Sequence, residues 1–556
     1  MRTACITAAA AWLMAIGVSV TPMGSRSVQA QSPAAPRAVK ASAHPADLFV
    51  TSDNCLACHN GMRTASGEDV SIGADWRSSM MANAGRDPYW MAGVRREIAD
   101  HPTANVDIQD ECSVCHLPMA RTTHRAEGKP GEIFSHMPPR VGSEGLDALA
   151  HDGVSCTVCH QITPQKLGTA ESFTGGYVID TQATSPRPIY GPFEIDKGRT
   201  TVMRSSSGFQ QQQSTHVQQS ELCATCHTLI TTALGPNGEP VGRLPEQMPY
   251  QEWKHSDYAT TRSCQACHMP ASTDTAISSV LGQPRTLARH QFLGGNFFMQ
   301  RMLNTYRDDL GVIAPSTELD RAVNRTIAHL QNESSTVAID RVELSGSTLG
   351  FDVAAQNLSG HKLPTGYPSR RVWLHVTVRD AGRRVIFESG AVDAKGQIAG
   401  NDGDLDPGAY EPHYDQITSA DQVQVYESVM GDTAGKPTTG LLRGVRFLKD
   451  NRLLPRGFDK ATADADIAVV GAAAADDSFT GGRDRVRYAV NVGSAAGPLQ
   501  VDAELRFQPI AYRWAQNLTQ YDASEATRFV RWYDSLAHVS SVVLSRSSAQ
   551  VSSPSR

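Results

Sequence analysis

Apolar residues fall along this chain in three different ways. Between positions 8 and 20 they run almost unbroken, behind Arg2 and ahead of the polar stretch 24–31. With Ala30 at an A-x-A-like junction, this pattern predicts a secretory signal peptide over 1–30, its apolar core too short to span a bilayer comfortably. A retained membrane anchor is the competing reading. A leader rich in Ala, Ser and Pro follows over 31–45. From Ser316 or Thr317, either of which can cap a helix, Leu319, Val323, Ile327 and Leu330 recur at helical spacing as far as Gln331. Beyond that helix the period changes to two. Alternation over 337–344, 371–378, 385–387, 422–426, 485–492 and 501–507 predicts strands, with Gly, Pro, Asn and Asp at the turns between them. Short strands in that number suggest an antiparallel β-sandwich, with a last helix over 523–536 packed on it.

At 556 residues the chain is too long for one ordinary hydrophobic core. The patterns divide it into a signal peptide (1–30), a leader (31–45), a mostly helical and irregular domain (46–310), a linking helix (311–334), a β-sandwich domain (335–545) and a polar tail (546–556). Apolar residues make up 40% and charged residues 19%, which excludes a disordered or a bulk membrane-embedded chain. No later stretch approaches eighteen consecutive apolar residues, so the mature chain is not predicted to span a membrane. The formal charge is −6 with no long basic run, which argues against nucleic acid as a partner. Removing 1–30 takes away Arg2, Arg26 and Cys5, leaving a charge of −8 and ten cysteines.

Those ten cysteines all belong to one pattern. It reads Cys55-Leu56-Ala57-Cys58-His59, Cys112-Ser113-Val114-Cys115-His116, Cys156-Thr157-Val158-Cys159-His160, Cys223-Ala224-Thr225-Cys226-His227 and Cys264-Gln265-Ala266-Cys267-His268. The cysteine and histidine content would give about 0.007 copies of C-x-x-C-H by chance, against five found. Two thiols three residues apart on one turn can both reach the vinyl groups on one edge of a porphyrin. The next histidine then supplies an axial nitrogen to the iron. The motifs thus predict five covalently bound haems c, with His59, His116, His160, His227 and His268 as proximal ligands. Thioredoxin-type pairs do not need a histidine after each motif. Zinc sites take two such knuckles per metal, and five would leave one unpaired. Disulfide frameworks space their cysteines irregularly. Roughly fifty residues per haem are too few for a conventional core, so the porphyrins themselves must form much of it. Short helices carrying the motifs are expected, with irregular loops such as 191–207 and a solvated loop at 210–213.

Each iron needs a sixth ligand or keeps an open face. A second histidine or a methionine closes it for outer-sphere electron transfer, whereas a vacant face lets a small substrate bind. His101, His136, His151, His216 and His290 are the candidate distal ligands, and His151 and His216 stand just before Cys156 and Cys223. His124, His255, Met80 and Met81 form a second rank. His361 lies in the turn-forming stretch Gly360-His361-Lys362-Leu363-Pro364-Thr365-Gly366. Such a turn can project a ring toward the haem region, but a loop histidine without a metal is the favoured reading. Asp402, Asp404 and Asp406 lack the bidentate Glu of a calcium loop and read as a solvated acidic turn.

Asp152-Gly153-Val154-Ser155 leading into Cys156, Glu221-Leu222 leading into Cys223, and Arg262-Ser263-Cys264-Gln265-Ala266-Cys267-His268-Met269-Pro270 resemble the multihaem cytochromes of cytochrome c-554 type, over residues 50–300. The resemblance implies a periplasmic or surface electron carrier; relatives in the wider superfamily reduce nitrite or oxidise hydroxylamine. The chain departs from the tetrahaem carrier in its fifth motif and appended β region. It also has no C-x-x-C-K motif, which marks the lysine-ligated catalytic haem of the pentahaem nitrite reductases. The expectation is a periplasmic or secreted pentahaem cytochrome carrying electrons between redox partner proteins, membrane quinol-linked or surface cytochromes among them, with no catalytic residue assigned. One alternative is an oxidoreductase in which a single open haem acts on a small nitrogen or other inorganic compound. Another is a redox-sensing module whose β region binds the partner.

Overall fold

A computed structural model describes residues 48–495 and 497–552. The signal peptide and leader expected over 1–45 lie outside the described residues. No helix among the described residues is long and apolar enough to cross a membrane.

The motif region is built from short helices. Pro88–Asp100 shows why they start and stop where they do: Asp87 accepts hydrogen bonds from the Tyr89 and Trp90 amides (2.8 and 3.2 Å), Pro88 takes the first helical position, and Pro102 follows the end. Met91, Ala92 and Val94 form its buried face. The expected loop at 191–207 holds a helix instead, Lys197–Ser207, capped by Asp196 and stopped by Gly208 at φ +80°. Its faces are polar, so no apolar stripe announced it. The glutamine run is a strand as well: Phe209–Gln213 pairs in parallel with Arg187–Gly191.

Beyond residue 335 two sheets dominate. One orders Val385–Ser389, Arg371–Arg379, Leu499–Gln508 and Val542–Val551, with Val425–Tyr426 added on Arg371–Arg379. The other orders Gln416–Ile417, Arg483–Asn491, Thr348–Asn357 and Ser335–Ser345. Pairing is antiparallel except at Gln416–Ile417. The period of two works as expected in two strands, where Val486, Tyr488 and Val490, then Val501, Ala503 and Leu505, are buried on alternate positions, whereas Arg371–Arg379 buries 371–374 and 376–378 in succession. Both sheets feed one core, where Tyr488 stacks on Phe351 (5.0 Å between ring centres) and meets Phe387 edge-on. Among the described residues no sheet closes into a barrel.

Two boundaries and one side chain differ from expectation. The stretch read as a polar tail from 546 is strand, since Val542–Val551 pairs along Leu499–Gln508 as far as Val551. The helix Ser316–Glu333 begins on Ser316, with Pro315 rather than a hydroxyl at the cap position. Asp404 is not solvated: it is buried against Arg371, whose guanidinium donates to both carboxylate oxygens at 2.8 and 2.9 Å.

A single core runs across residue 310. The helix Phe297–Thr305 is buried along most of its length and lies in the same apolar cluster as the strands. Phe298 meets Tyr533 edge-on at 5.5 Å, and Tyr306 stacks on Trp532 at 4.3 Å, both partners belonging to the helix Ser524–Leu536. Arg95 adds a bidentate pair to Glu525 on that helix.

Candidate functional site

All five motifs open onto one cavity. Its volume is about 1580 Å³, beyond the roughly 300–1,000 Å³ of an ordinary small-molecule pocket. Every motif cysteine and histidine lines it, and none of the ten cysteines is disulfide-bonded. The motifs sit on single turns such as Cys156–Cys159 and Cys264–His268, or at the end of a longer helix, Asn105–His116.

Hydrogen bonds tie the motifs to one another. Asp152 accepts from the backbone and side chain of Ser52 (both 2.8 Å), ahead of the first motif, and from Ser155, ahead of the third. Gly153 then turns the chain at φ +63°, where a Cβ would lie 2.6 Å from the Ala82 carbonyl oxygen. Val154 donates to Met81 O and accepts from the Trp76 indole (2.9 and 3.0 Å). The stretch Asp152 to Ser155 is therefore a joint, and each of its residues has a contact that explains it. Residues 174–177 bridge the second and fourth motifs: the Gly175 amide donates to Thr225 O (2.7 Å), and Tyr177 Oη donates to Val114 O (3.2 Å). Ser220 Oγ accepts from the Cys264 amide (3.0 Å) and joins the fourth motif to the fifth.

Four of the five motif histidines share a second feature. Nδ1 of His59, His116 and His160 lies 2.6, 3.1 and 2.6 Å from the carbonyl oxygens of Ile277, Ala84 and Tyr190, and Nδ1 of His268 meets Leu293 O. A carbonyl can only accept, so the proton sits on Nδ1 and Nε2 keeps its lone pair. A metal-bound histidine uses this same device. Burial favours the neutral ring in four of the five: it pushes His116 and His268 down to about 4 and lowers His160 and His227. Trp90 lies flat on His116 at 4.2 Å and fixes that ring from the side.

The candidate distal histidines divide sharply. His290 lines the cavity, donates from Nδ1 to Ala288 O (3.0 Å), and stands nearly parallel to His160 (21°) with 6.3 Å between ring centres. His101 and His136 are buried, each with Nδ1 engaged (on Gly235 O and Asp147) and a partnerless Nε2, but neither lines the cavity. His151 and His216 are struts rather than free ligands. His151 donates from Nε2 to His136 O (2.6 Å) with Nδ1 on Ser143 Oγ, and His216 donates from Nε2 to Ile162 O (2.8 Å) with Nδ1 on Ser214 Oγ. Their place before a motif serves to tie segments together; His216 links the stretch after the third motif to the one before the fourth. His124 and His255 hydrogen-bond Pro130 O and Gln251 O away from the cavity, whereas Met80 and Met81 line it.

Two cavity histidines come from outside the motif region. His361, expected as a loop histidine without a metal, lies 6.1 Å from His268 between ring centres, at 12°. His329, on the helix Ser316–Glu333, lies 6.3 Å from His268 at 59°. In the sequence His361 stands in a turn able to project its ring toward the motif region, and His329 falls within the expected linking helix without being singled out.

No family model matches the sequence, and no curated protein matches it. A solved structure does match the fold: a penta-heme cytochrome c552 from Thermochromatium tepidum, with a TM-score of 0.53 and 16% identity over 91% of this chain and 100% of that one. The two chains share a fold. That match spans the strand-rich part as well as the motif region, so the shared fold includes both. The residues present also fit the group the motifs call for: paired thiols on one turn, a neutral imidazole with Nε2 free, and an apolar wall around a common cavity.

Proposed function

We propose that the protein is an exported c-type cytochrome with five covalently bound haems, one on each motif, and that it passes electrons between redox partner proteins outside the cytoplasm. One observation carries the reading: a single cavity is lined by all five C-x-x-C-H motifs, four of whose histidines hold Nδ1 on a backbone carbonyl. When bound, haem c supplies a one-electron iron couple. The chain's own part is positional. Each cysteine pair anchors one group by thioethers, and His59, His116, His160 and His268 present Nε2 in a fixed tautomer. The joints at Asp152, at residues 174–177 and at Ser220 hold neighbouring motifs at constant separation, and the apolar wall excludes water. Fixed, dry surroundings keep rearrangement on electron exchange small. The N-terminal apolar segment supports export, and the acidic charge of the mature chain suits basic redox partners. Intact mass under denaturing conditions, from a host with haem-attachment machinery, should show five haem additions. Rapid reoxidation by soluble electron carriers after dithionite reduction should follow, with no steady turnover of nitrite or hydroxylamine. Absence of bound haem would overturn the reading.

A second reading, an oxidoreductase, draws on one cluster of the cavity wall. Burial raises Asp87 to about 6 and Glu246 to about 7, and lowers Arg370 to about 10, and Tyr89 and Tyr367 stand beside them. Among the described residues no carboxylate lies within ion-pair distance of Arg370. Such a set can donate protons and hold an anion. A high-spin signal that shifts on adding nitrite or hydroxylamine, with steady turnover, would favour this reading over the carrier.

A further inference from the structure

We propose that His361 is the second axial ligand of the metal held by the Cys264–His268 motif, so that the strand-rich part of the chain completes one of the metal sites of the motif region. The proposal rests on the haem reading above. Two in-line metal–imidazole bonds of about 2 Å, plus about 1.1 Å from each nitrogen to its ring centre, separate two ring centres by about 6.2 Å. His268 and His361 stand 6.1 Å apart and nearly parallel. Direct stacking looks different in this protein: Trp90 on His116 closes to 4.2 Å. His361 also carries the tautomer of the motif histidines, since its Nδ1 donates to Lys362 O (2.9 Å) and leaves Nε2 free.

His329 is the rival, at a similar distance from His268. Its ring is tilted by 59°, and its Nδ1 has no hydrogen-bond partner, the Glu333 carboxylate being 3.6 Å away. Among the described residues no hydrogen bond fixes its tautomer. The loop carrying His361, by contrast, is clamped from several sides. Asn357 Nδ2 donates to His361 O (2.7 Å), and Tyr258 Oη donates to Leu358 O (2.9 Å). The next residue, Lys362, is fully buried; its ammonium pairs with Asp450 at 2.7 Å, and its amide donates to Glu252. Arg452 closes the ring by pairing with both Asp450 (2.7 Å) and Glu252 (2.9 Å). Glu252 belongs to the motif region, on the helix Pro249–Lys254, and the other three to the strand-rich part. Four buried charges with matched partners hold the loop against the cavity. A charge network of this kind specifies a position more than it adds stability.

The test uses the full-length haem-loaded protein and reads spin state by electron paramagnetic resonance and visible absorption, with haem content by mass. His361→Ala should keep five haems and turn about one haem in five from low to high spin, and added imidazole should restore the low-spin signal. His361→Met should stay low-spin with one potential raised, since thioether ligation favours the reduced iron; this variant decides the matter if alanine costs the fold. His329→Gln should leave the spectrum unchanged. Five haems with an unaltered spectrum in both His361 variants, or a high-spin signal from His329→Gln alone, would overturn the assignment while leaving the haem reading intact. A wild-type protein without haem would overturn both.

Discussion

Residues 335–551 and residues 48–310 use their apolar side chains in opposite ways. In the strand-rich part, side chains such as Phe351, Val376, Tyr488 and Leu505 are fully buried against one another in a core fed by two sheets. In the motif region, Ile72, Trp76, Ile108, Val158, Leu222 and Leu293 face the common cavity, and its two smaller apolar clusters are built from only seven and six of its buried residues, the first joined by Leu442 from the strand-rich part. The first arrangement is a core made by the chain. The second is a wall shaped for planar apolar groups, which on the proposed reading provide the rest of the core. Stability should therefore be graded in one region and conditional on attachment in the other.

The hardest test of this contrast is to remove one attachment point. Cys156→Ala with Cys159→Ala should lose one haem by mass and unfold the motif region around it, seen as lost helical circular dichroism and rapid proteolysis there. Wild-type melting in this variant would break the comparison. In the strand-rich part, Phe351→Ala should leave all five haems in place and cost about 3–5 kcal/mol in denaturant unfolding. Gly153→Ala sharpens the picture at the joint between the first and third motifs. A Cβ there meets the backbone of Met81 and Ala82 at a positive φ, so about 1–3 kcal/mol should be lost and the redox potentials of the neighbouring haems should shift. The smallest effect is a pH dependence in the sheet. The hydrogen bond from His375, with Arg506 and Arg546 nearby, holds Glu504 at about 2. Burial opposes charge on His375, but Glu504 and Glu388 outweigh it and raise the ring above its usual value. Glu504 then stabilises the fold above about pH 4.3 and loses that contribution as pH falls toward its folded value. His375 stabilises it below about pH 6.5 and loses its share as pH rises through the raised value. The melting difference between wild type and Glu504→Gln should accordingly be greatest between about pH 4.5 and 6.5 and shrink on either side.

What could be read in the sequence follows the same division. The motifs were legible because covalent attachment demands fixed residues at fixed spacing, and the strand Arg483–Asn491 because it buries alternate residues. Thr348–Asn357 left no such trace: residues 349–355 are buried in succession, which erases the period of two. The distal ligands were the least legible. A histidine just before a motif looks well placed, yet what matters is where its nitrogens bond, and His151 and His216 bond the backbone. His361 lies almost a hundred residues beyond the last motif, and only the folded chain brings it to the cavity.

The core that crosses residue 310 bears on inheritance. Cutting the chain at residue 334 would bare Phe297, Phe298, Met302 and Leu303, which are covered by Phe507, Tyr533 and their neighbours. Neither part can be lent to another protein as a cassette, and recombination at that point yields two halves that each lack a surface. The two parts must vary together, and a change in the size of Phe298 calls for an answer at Tyr533, more than two hundred residues away along the gene.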